Sequence, residues 1–248
     1  MDNKVITKGQ EHAITIKQHN AITEARYDMS ATEKNIIYML LAQLEDDDPV
    51  KKRYMISMRQ LQTRLEQLGQ VVSREQLQKA TSTLISRVYS IIEEGSGDYV
   101  QMSLFASVIY TDDSDLVEIE LSPDIRPYLF QLKNNFTSFE LDMALSLKSK
   151  YSQRMYEILS KYRDVGTFQI SVEKLKYILE LIHPLTKAEM FKEWSSFSND
   201  ILEVSKKEID EHTDICFIYT LKKTGRKYTD IEFHISKKGI QTLLDLQV

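Results

Sequence analysis

The sequence has little cysteine, glycine and proline, and each shortage excludes a class of protein. One Cys in 248 residues excludes a disulfide framework and a multi-thiolate zinc site, so a reducing cytoplasm is the expected compartment. Seven Gly and four Pro leave little room for disordered tracts, and the chain is expected to fold nearly throughout. No apolar run approaches 18 residues and the first 18 residues mix charges, so neither a membrane span nor a signal peptide is expected.

Motifs of catalysis, nucleotide binding and metal binding are also missing. The glycines form neither a Walker A loop nor a G-x-G-x-x-G fingerprint, so no ATP site is expected. The five histidines show no H-x-H pair and no H-E-x-x-H, which leaves a metal site or a DNA-nicking centre without ligands. Cys216 lies in the alternating run ICFIY, as a small buried residue would. The sequence therefore predicts no enzyme, no cofactor and no metal, unless distant residues assemble a site.

The net charge of −5 comes from the first half of the chain. Before residue 136 there are 15 Lys and Arg against 20 Asp and Glu, and after it there are 17 of each. A negative total argues against a non-specific nucleic-acid binder, which usually carries a cationic surplus. The neutral second half nevertheless contains two basic stretches, at residues 146–163 and 222–238.

An internal repeat is the strongest sign of organisation. The segment YMISMRQLQTRL at 54–65 recurs as FQISVEKLKYIL at 168–179, with every matched position offset by 114 residues. In each copy a short alternating strand ends at a Ser in a helix N-cap position, Ser57 or Ser171, and an apolar helical stripe follows. Chance similarity of two strand-to-helix junctions is the alternative.

The flanking segments extend each copy to helix, strand, helix, helix and hairpin, which is the succession of a winged helix. The predicted fold class is α+β, with two tandem winged-helix domains at residues 1–135 and 136–248. In the first, a helix is predicted from Arg74 to Val88, and the turn TDDSD at 111–115 separates two strands. In the second, a hairpin is predicted with strands at Thr213–Leu221 and Tyr228–Ile235.

Four groups of residues are candidates for DNA contact. A helix predicted from about Ser146 to Tyr162 carries a basic stripe, for which a solvated surface is the rival interpretation. The predicted hairpin concentrates cations whose mutual repulsion an anionic partner would relieve. The third helix of the second domain has polar residues able to reach bases or phosphates, although Asp200, Glu203 and Glu208 are unfavourable beside phosphates. The helix at Arg74 presents a milder polar face that is equally well explained as solvent surface. In that order the candidates are Lys148, Lys150, Arg154 and Lys161; Lys222, Lys223, Arg226 and Lys227; Ser198, Asn199 and Lys206; and Arg74, Gln78, Lys79 and Ser82.

Three ordered blocks resemble the Rep proteins of iteron-containing plasmids, replication initiators built from two winged helices. The blocks are NAITEARYDMSATEKNII at Asn20–Ile37, LKSKYSQRMYEILSKY at Leu147–Tyr162, and KEIDEHTDI with KKTGRK between Lys207 and Lys227. Family members usually place Lys and Arg after the Phe that opens the third helix, whereas Phe197 here is followed by Ser198, Asn199 and Asp200. This departure predicts an altered repeat sequence, since Asn can read adenine.

The resemblance implies an initiator in the bacterial cytoplasm that binds direct repeats of double-stranded plasmid DNA as a monomer. It also implies opening of AT-rich DNA, recruitment of host helicase and initiator proteins, and autorepression by a homodimer joined through the first domain. By position, it assigns backbone contact to Lys148, Lys150, Arg154, Arg226 and Lys227, and base contact to the helix around Ser198–Lys206. The alternative is a winged-helix transcriptional regulator, or a degenerate initiator, that acts mainly through protein assembly.

Overall fold

The computed structural model describes residues 13–93, 96–110 and 115–239 and divides the chain into two compact units, of which the first ends at Ser146. This division lies eleven residues after the boundary predicted between residues 135 and 136. Strand β7 (Phe136–Glu140) pairs antiparallel with β1 (Thr15–His19), and the following helix α5 (Leu141–Ser146) packs on a helix of the first unit. Residues 1–12 and most of the predicted TDDSD turn lie outside the described residues.

The remaining elements of the first unit surround one helix that is buried on every side. In chain order they are α1 (Asn20–Thr23), α2 (Ala31–Leu41), β2 (Arg53–Ser57), α3 (Met58–Gln67), α4 (Arg74–Leu84), β3 (Val88–Ile92), β4 (Tyr99–Ser103), β5 (Phe105–Tyr110), β6 (Leu116–Leu121) and a 3-10 helix (Pro123–Tyr128). The buried helix is α2, which starts at a capping box between Ser30 and Glu33. Strands β2, β6 and β5 form one sheet in that order, and β3 and β4 form a separate two-stranded ribbon.

The second unit repeats this plan with fewer additions. Its elements are α6 (Lys150–Tyr162), β8 (Thr167–Ser171), α7 (Val172–Ile178), α8 (Trp194–Phe197), a π-helical turn (Ser198–Glu203), α9 (Val204–His212), β9 (Ile215–Thr224) and β10 (Lys227–Lys237). The three pieces from Trp194 to His212 are continuous, because the backbone at each junction is right-handed helical. We call them the α8–α9 helix. The sheet order β8-β10-β9 matches β2-β6-β5 of the first unit.

The repeat at offset 114 is confirmed in the structure at both junctions. Strands β2 and β8 start and end 114 residues apart, and the hydroxyls of Ser57 and Ser171 accept from the backbone N–H of Gln60 and Lys174 at 3.1 Å. A serine that ends a strand and caps the next helix satisfies an N–H group that would otherwise lack a partner. The two units are tandem winged helices, as predicted.

Two predicted helices have different bounds in the structure. The helix predicted at 74–88 ends at Leu84, and Val88 opens β3 instead, because Tyr89 and Ile91 are buried on the ribbon. The helix predicted to start near Ser146 starts at Lys150, where the Ser149 side chain accepts from the Tyr151 N–H at 3.2 Å. None of the described helices is long and apolar enough to cross a membrane.

Candidate nucleic-acid interface

The hairpin of the second unit is a long two-stranded wing that ends in a tight turn. Strands β9 and β10 pair from Ile215↔Lys237 out to Thr224↔Lys227, which leaves Gly225 and Arg226 as a two-residue loop. Gly225 has a positive φ of +62°. Two-residue hairpin loops favour glycine at their first position, because glycine adopts a positive φ without strain. The predicted hairpin is thus present, with each strand longer than predicted.

The wing tip carries four exposed cations, Lys222, Lys223, Arg226 and Lys227. Two of them have neighbours within the unit: Lys222 donates to Gln169 Oε1 at 2.8 Å, and the Lys223 ammonium lies 4.3 Å from the Tyr228 ring centroid. Arg226 and Lys227 have no side-chain partner among the described residues. Like charges crowded at a protrusion favour an anionic partner.

The α8–α9 helix presents one polar face to solvent. Its exposed residues recur at intervals of one, three and four positions, which places them on a single side. They are Ser195, Asn199, Asp200, Glu203, Val204, Lys207, Glu211 and His212. Phe197, Ile201, Leu202, Ser205 and Ile209 are buried on the opposite side. This face contains three acids and one lysine, so it is not a basic surface.

Within the π-helical turn, Glu203 is held by a tyrosine of the wing. The Tyr219 hydroxyl donates to Glu203 Oε1 at 2.5 Å, and the Ser198 hydroxyl lies 3.3 Å from the same Tyr219 oxygen. Because the Tyr219 proton is directed at Glu203, Ser198 is the donor of the second bond. Burial raises the pKa of Tyr219, and the Glu203 carboxylate adds to this, so the phenol stays a donor. π-Helical turns inside helices frequently occur at functional sites.

The predicted candidates of this helix divide into one exposed and two engaged residues. Asn199 is exposed, as a base-reading residue requires. Ser198 is half-buried and directed at Tyr219. Lys206 is also half-buried and forms an ion pair with Asp210 one turn on, so its ammonium is not presented on the exposed face.

The predicted basic stripe is not a continuous exposed surface of α6. All nine residues of Ser152–Ser160 are buried, and the Arg154 side chain, 6% exposed, pairs with Glu157 at 2.5 Å. Arg154 is therefore not presented to solvent, as a phosphate contact would require. A buried charge needs a nearby opposite charge, and α6 supplies it three residues on.

The other three candidates of this group lie at the ends of α6. Lys148 is exposed and precedes the helix, and Lys150 and Lys161 are half-buried, each with its ammonium about 5 Å from the ring of the next residue. The N–H groups of Lys148 and Ser149 donate to Glu208 Oε2 at 3.0 and 3.2 Å. A carboxylate thus already occupies the start of α6, where anions are favoured.

In the first unit, α4 corresponds in position to the α8–α9 helix. Arg74, Lys79 and Ser82 are exposed, and Gln78 is half-buried. With Glu75 as the only exposed acid of α4, this face has a formal charge of +1, against −2 on the α8–α9 helix counted without His212. The structure thus leaves three of the four first-unit candidates, Arg74, Lys79 and Ser82, exposed to solvent.

Comparison with known proteins identifies the family of this chain. The family described as "Initiator Replication protein, WH1" matches residues 15–160, and "Initiator Rep protein, WH2" matches residues 171–235. The chain belongs to this family of replication initiators. The resemblance drawn from the three sequence blocks is thereby confirmed.

Curated relatives and a solved structure are similar over most of this initiator. "PI protein" of Escherichia coli is 21% identical, with 88% of this chain and 81% of that protein covered. "Replication initiation protein" of Escherichia coli is 25% identical, with 90% and 69% covered. The crystal structure of the Pi initiator protein in complex with iteron DNA has a TM-score of 0.75 at 21% identity and covers 90% of this chain and 97% of that one. At this identity, the structure supports the fold.

Sequence reasoning missed the Glu203–Tyr219 pair of this initiator. The sequence marks Glu203 as unfavourable beside phosphates and places Tyr219 in an alternating apolar strand. The two residues are sixteen positions apart, and only the packing of the wing against the helix brings their side chains together. The signal that could have helped is the alternation along ICFIY, which places Tyr219 on the side of the strand opposite Cys216 and Ile218.

Among the described residues, one group of three acids has the spacing of a cation site: Glu45, Asp47 and Asp48. Asp48 already accepts from the Tyr54 hydroxyl at 2.8 Å and pairs with Lys52 at 2.5 Å. The carboxylate thus serves the protein itself, and the cluster lies in the first unit, outside the wing and the α8–α9 helix.

Proposed function

We propose that this protein initiates plasmid replication by binding direct repeats, iterons, in double-stranded DNA of the origin. The single observation that supports this most directly is the wing tip, where four exposed cations converge on a two-residue loop. The wing holds phosphates, and the exposed face of the α8–α9 helix enters the major groove, as in winged-helix proteins generally. Lys148 adds a backbone contact beside the start of α6.

The proposed initiator has no catalytic activity of its own and acts as a platform in the bacterial cytoplasm. Binding to repeats promotes opening of neighbouring AT-rich DNA, and host helicase and initiator proteins supply the motor. Sequence motifs for nucleotide binding are missing from the whole chain, which supports this division of labour. The acidic first half offers a surface for protein contacts.

The first unit is proposed to join two copies for autorepression. Its β3–β4 ribbon exposes Val88, Ile92 and Tyr99, the last two paired across the strands and 64% and 51% exposed. Exposed apolar residues that cluster in this way are typical of protein contact sites. Ile92→Glu is expected to lower the mass in light scattering from dimer to monomer and to leave repeat binding intact. An unchanged mass would exclude the ribbon as the dimer contact.

A footprint of the purified protein on its own plasmid's noncoding DNA tests the main proposal. Protected segments are expected to recur as direct repeats, and a fragment with the repeats scrambled serves as the matched control. Equal protection of both fragments, or none, would refute the proposal.

One observation favours a second candidate function, a regulator or degenerate initiator that acts through protein assembly. The exposed face of the α8–α9 helix has three acids against one lysine. If this face contacts a protein, its charge reversal would change partner binding and leave the footprint as it is. If it contacts DNA, the same change alters the footprint.

A further inference from the structure

We propose that Glu203 determines the repeat sequence by accepting a hydrogen bond from the N4 amino group of a cytosine, with Tyr219 as its positioning residue. This inference rests on the proposed function, because it requires the α8–α9 helix to lie in the major groove. It adds the base and the atom that the helix recognises.

The carboxylate of Glu203 is both exposed and oriented. Tyr219 holds Oε1 at 2.5 Å, and Ser198 holds Tyr219 from the same π-helical turn. The Tyr219 ring is half-buried and lies 6.1 Å from the Phe233 ring centroid in the wing sheet. Oε2 has no partner among the described residues and is free to accept from a base. An oriented side chain loses less conformational entropy on binding than a mobile one.

The chemistry of a carboxylate selects cytosine. An ionised carboxylate only accepts hydrogen bonds, and of the four base edges in the major groove only cytosine presents a donor without an acceptor beside it. Guanine offers O6 and N7, thymine offers O4, and adenine places its N7 acceptor next to the N6 donor. Glu203 therefore rejects three bases by repulsion as well as favouring one.

Repulsion from phosphates does not rule out base recognition by Glu203, because a different element, the wing, is proposed to contact the DNA backbone. The wing tip presents four exposed cations, and Glu203 needs only to meet the floor of the groove. Asp200 provides a matched comparison: it is exposed on the same π-helical turn and has no side-chain partner among the described residues. An unheld acid is expected to weaken binding generally and to select no base.

Selection of binding sites from a library with randomised repeats separates these roles. The natural protein is expected to enrich a cytosine at one position, or guanine when read on the other strand. Glu203→Gln should lose this preference, or shift it towards adenine, which Gln reads through N6 and N7, and leave the other positions unchanged. Asp200→Asn should keep every preference. If Glu203→Gln enriches the same sequence as the natural protein, Glu203 does not read a base and the inference is wrong.

An atomic substitution in the DNA tests the contact itself. Replacing the selected cytosine with 2-pyrimidinone removes the N4 amino group and should weaken binding of the natural protein about tenfold more than that of Glu203→Gln. Equal losses for both proteins would overturn the contact, since the weakened base pair affects both alike.

Tyr219→Phe tests the positioning role. It should reduce discrimination between the selected repeat and a repeat with that cytosine replaced, while affinity for unrelated DNA and the thermal midpoint stay unchanged. A merely structural role would lower the midpoint and both affinities together, which would refute positioning. If the natural protein itself enriches no sequence, the proposed function has failed, and that result is distinct from every outcome above.

Discussion

Replacing Arg226 and Lys227 with Ala should remove two phosphate contacts from the wing tip. Both side chains are exposed, and neither has a side-chain partner among the described residues, so no internal interaction is lost. Each neutralised phosphate contributes about −0.9 to the slope of log affinity against log salt. The slope of the double variant should therefore be shallower by about 1.8.

This change in slope sets the size of the effect at each salt concentration. When the salt concentration rises from about 50 to about 200 mM, a slope difference of about 1.8 means that the affinity of the natural protein falls about twelvefold more than that of the variant. If the contacts are purely electrostatic and vanish near 1 M salt, the variant is weaker by about thirtyfold at about 150 mM, or about 2 kcal/mol. Unfolding should be unaffected, because exposed charges contribute little to stability.

Titrations of repeat DNA followed by fluorescence anisotropy at several salt concentrations give the slope directly. Lys237→Ala is the matched control: this lysine lies at the far end of β10, about 30 Å from Lys227 at 3.3 Å per residue, and pairs with Asp164. Its slope should equal that of the natural protein. Equal slopes for the control and the double variant would show that the wing tip does not contact phosphates.

Three further predictions concern interactions within a single unit that stabilise its fold. Arg154→Met should lower the free energy of unfolding in urea by about 3 kcal/mol, because it removes the 2.5 Å ion pair with the Glu157 carboxylate, which is 0% exposed. Unchanged stability with weaker DNA binding would instead support Arg154 as a phosphate contact. Burial raises the pKa of Glu33, but hydrogen bonds headed by that from Arg87 outweigh it and lower the pKa below 4.5. The stabilisation should thus be present above pH 4.5 and lost as pH falls through the lower folded value, and thermal midpoints of Glu33→Gln should show a flatter acid limb. Lys238 donates to three carbonyls at the end of α9, so Lys238→Met should cost about 1–2 kcal/mol and speed amide exchange in the last turn of α9.

The elements that the sequence predicted correctly depend on local signals. Alternation followed by a capping serine marks Ser57 and Ser171, and the same two signals at the same spacing reveal the repeat. Gly225 between two alternating runs marks the wing turn. These features require only residues that are neighbours in the chain, so no knowledge of packing is needed.

The interface residues were harder to predict because exposure depends on packing. A helical stripe of Lys and Arg predicts a surface only if one side of the helix is free, and α6 is buried over nine successive residues. Arg154 is therefore buried where the stripe predicts an exposed side chain, although its partner Glu157 lies only three positions away in the sequence. The ion pair of Lys206 with Asp210, four positions apart, also has a short helical spacing and could have been anticipated.

The difference between the predicted boundary and the end of the first unit has a related cause. Phe136–Glu140 is an alternating segment, and by position it could open the second domain or close the first. Its pairing with Thr15–His19, more than a hundred residues earlier, decides the matter, and such pairing leaves no local trace. The hydrogen bond between the Thr23 and Thr137 hydroxyls also joins these two ends of the first unit.

The distribution of exposed charge explains how an acidic protein can serve as a proposed DNA binder. Affinity for phosphates requires cations only where the backbone passes, and the second unit places four of them at the wing tip. The acids of the α8–α9 helix weaken binding less than their number suggests, because at physiological salt charges more than about 8 Å apart are largely screened. A carboxylate directed at base edges then excludes unsuitable sequences and lowers the affinity for the DNA backbone only slightly. Salt dependence should accordingly report on the wing and base selection on the helix, and a variant that moved both together would contradict this separation.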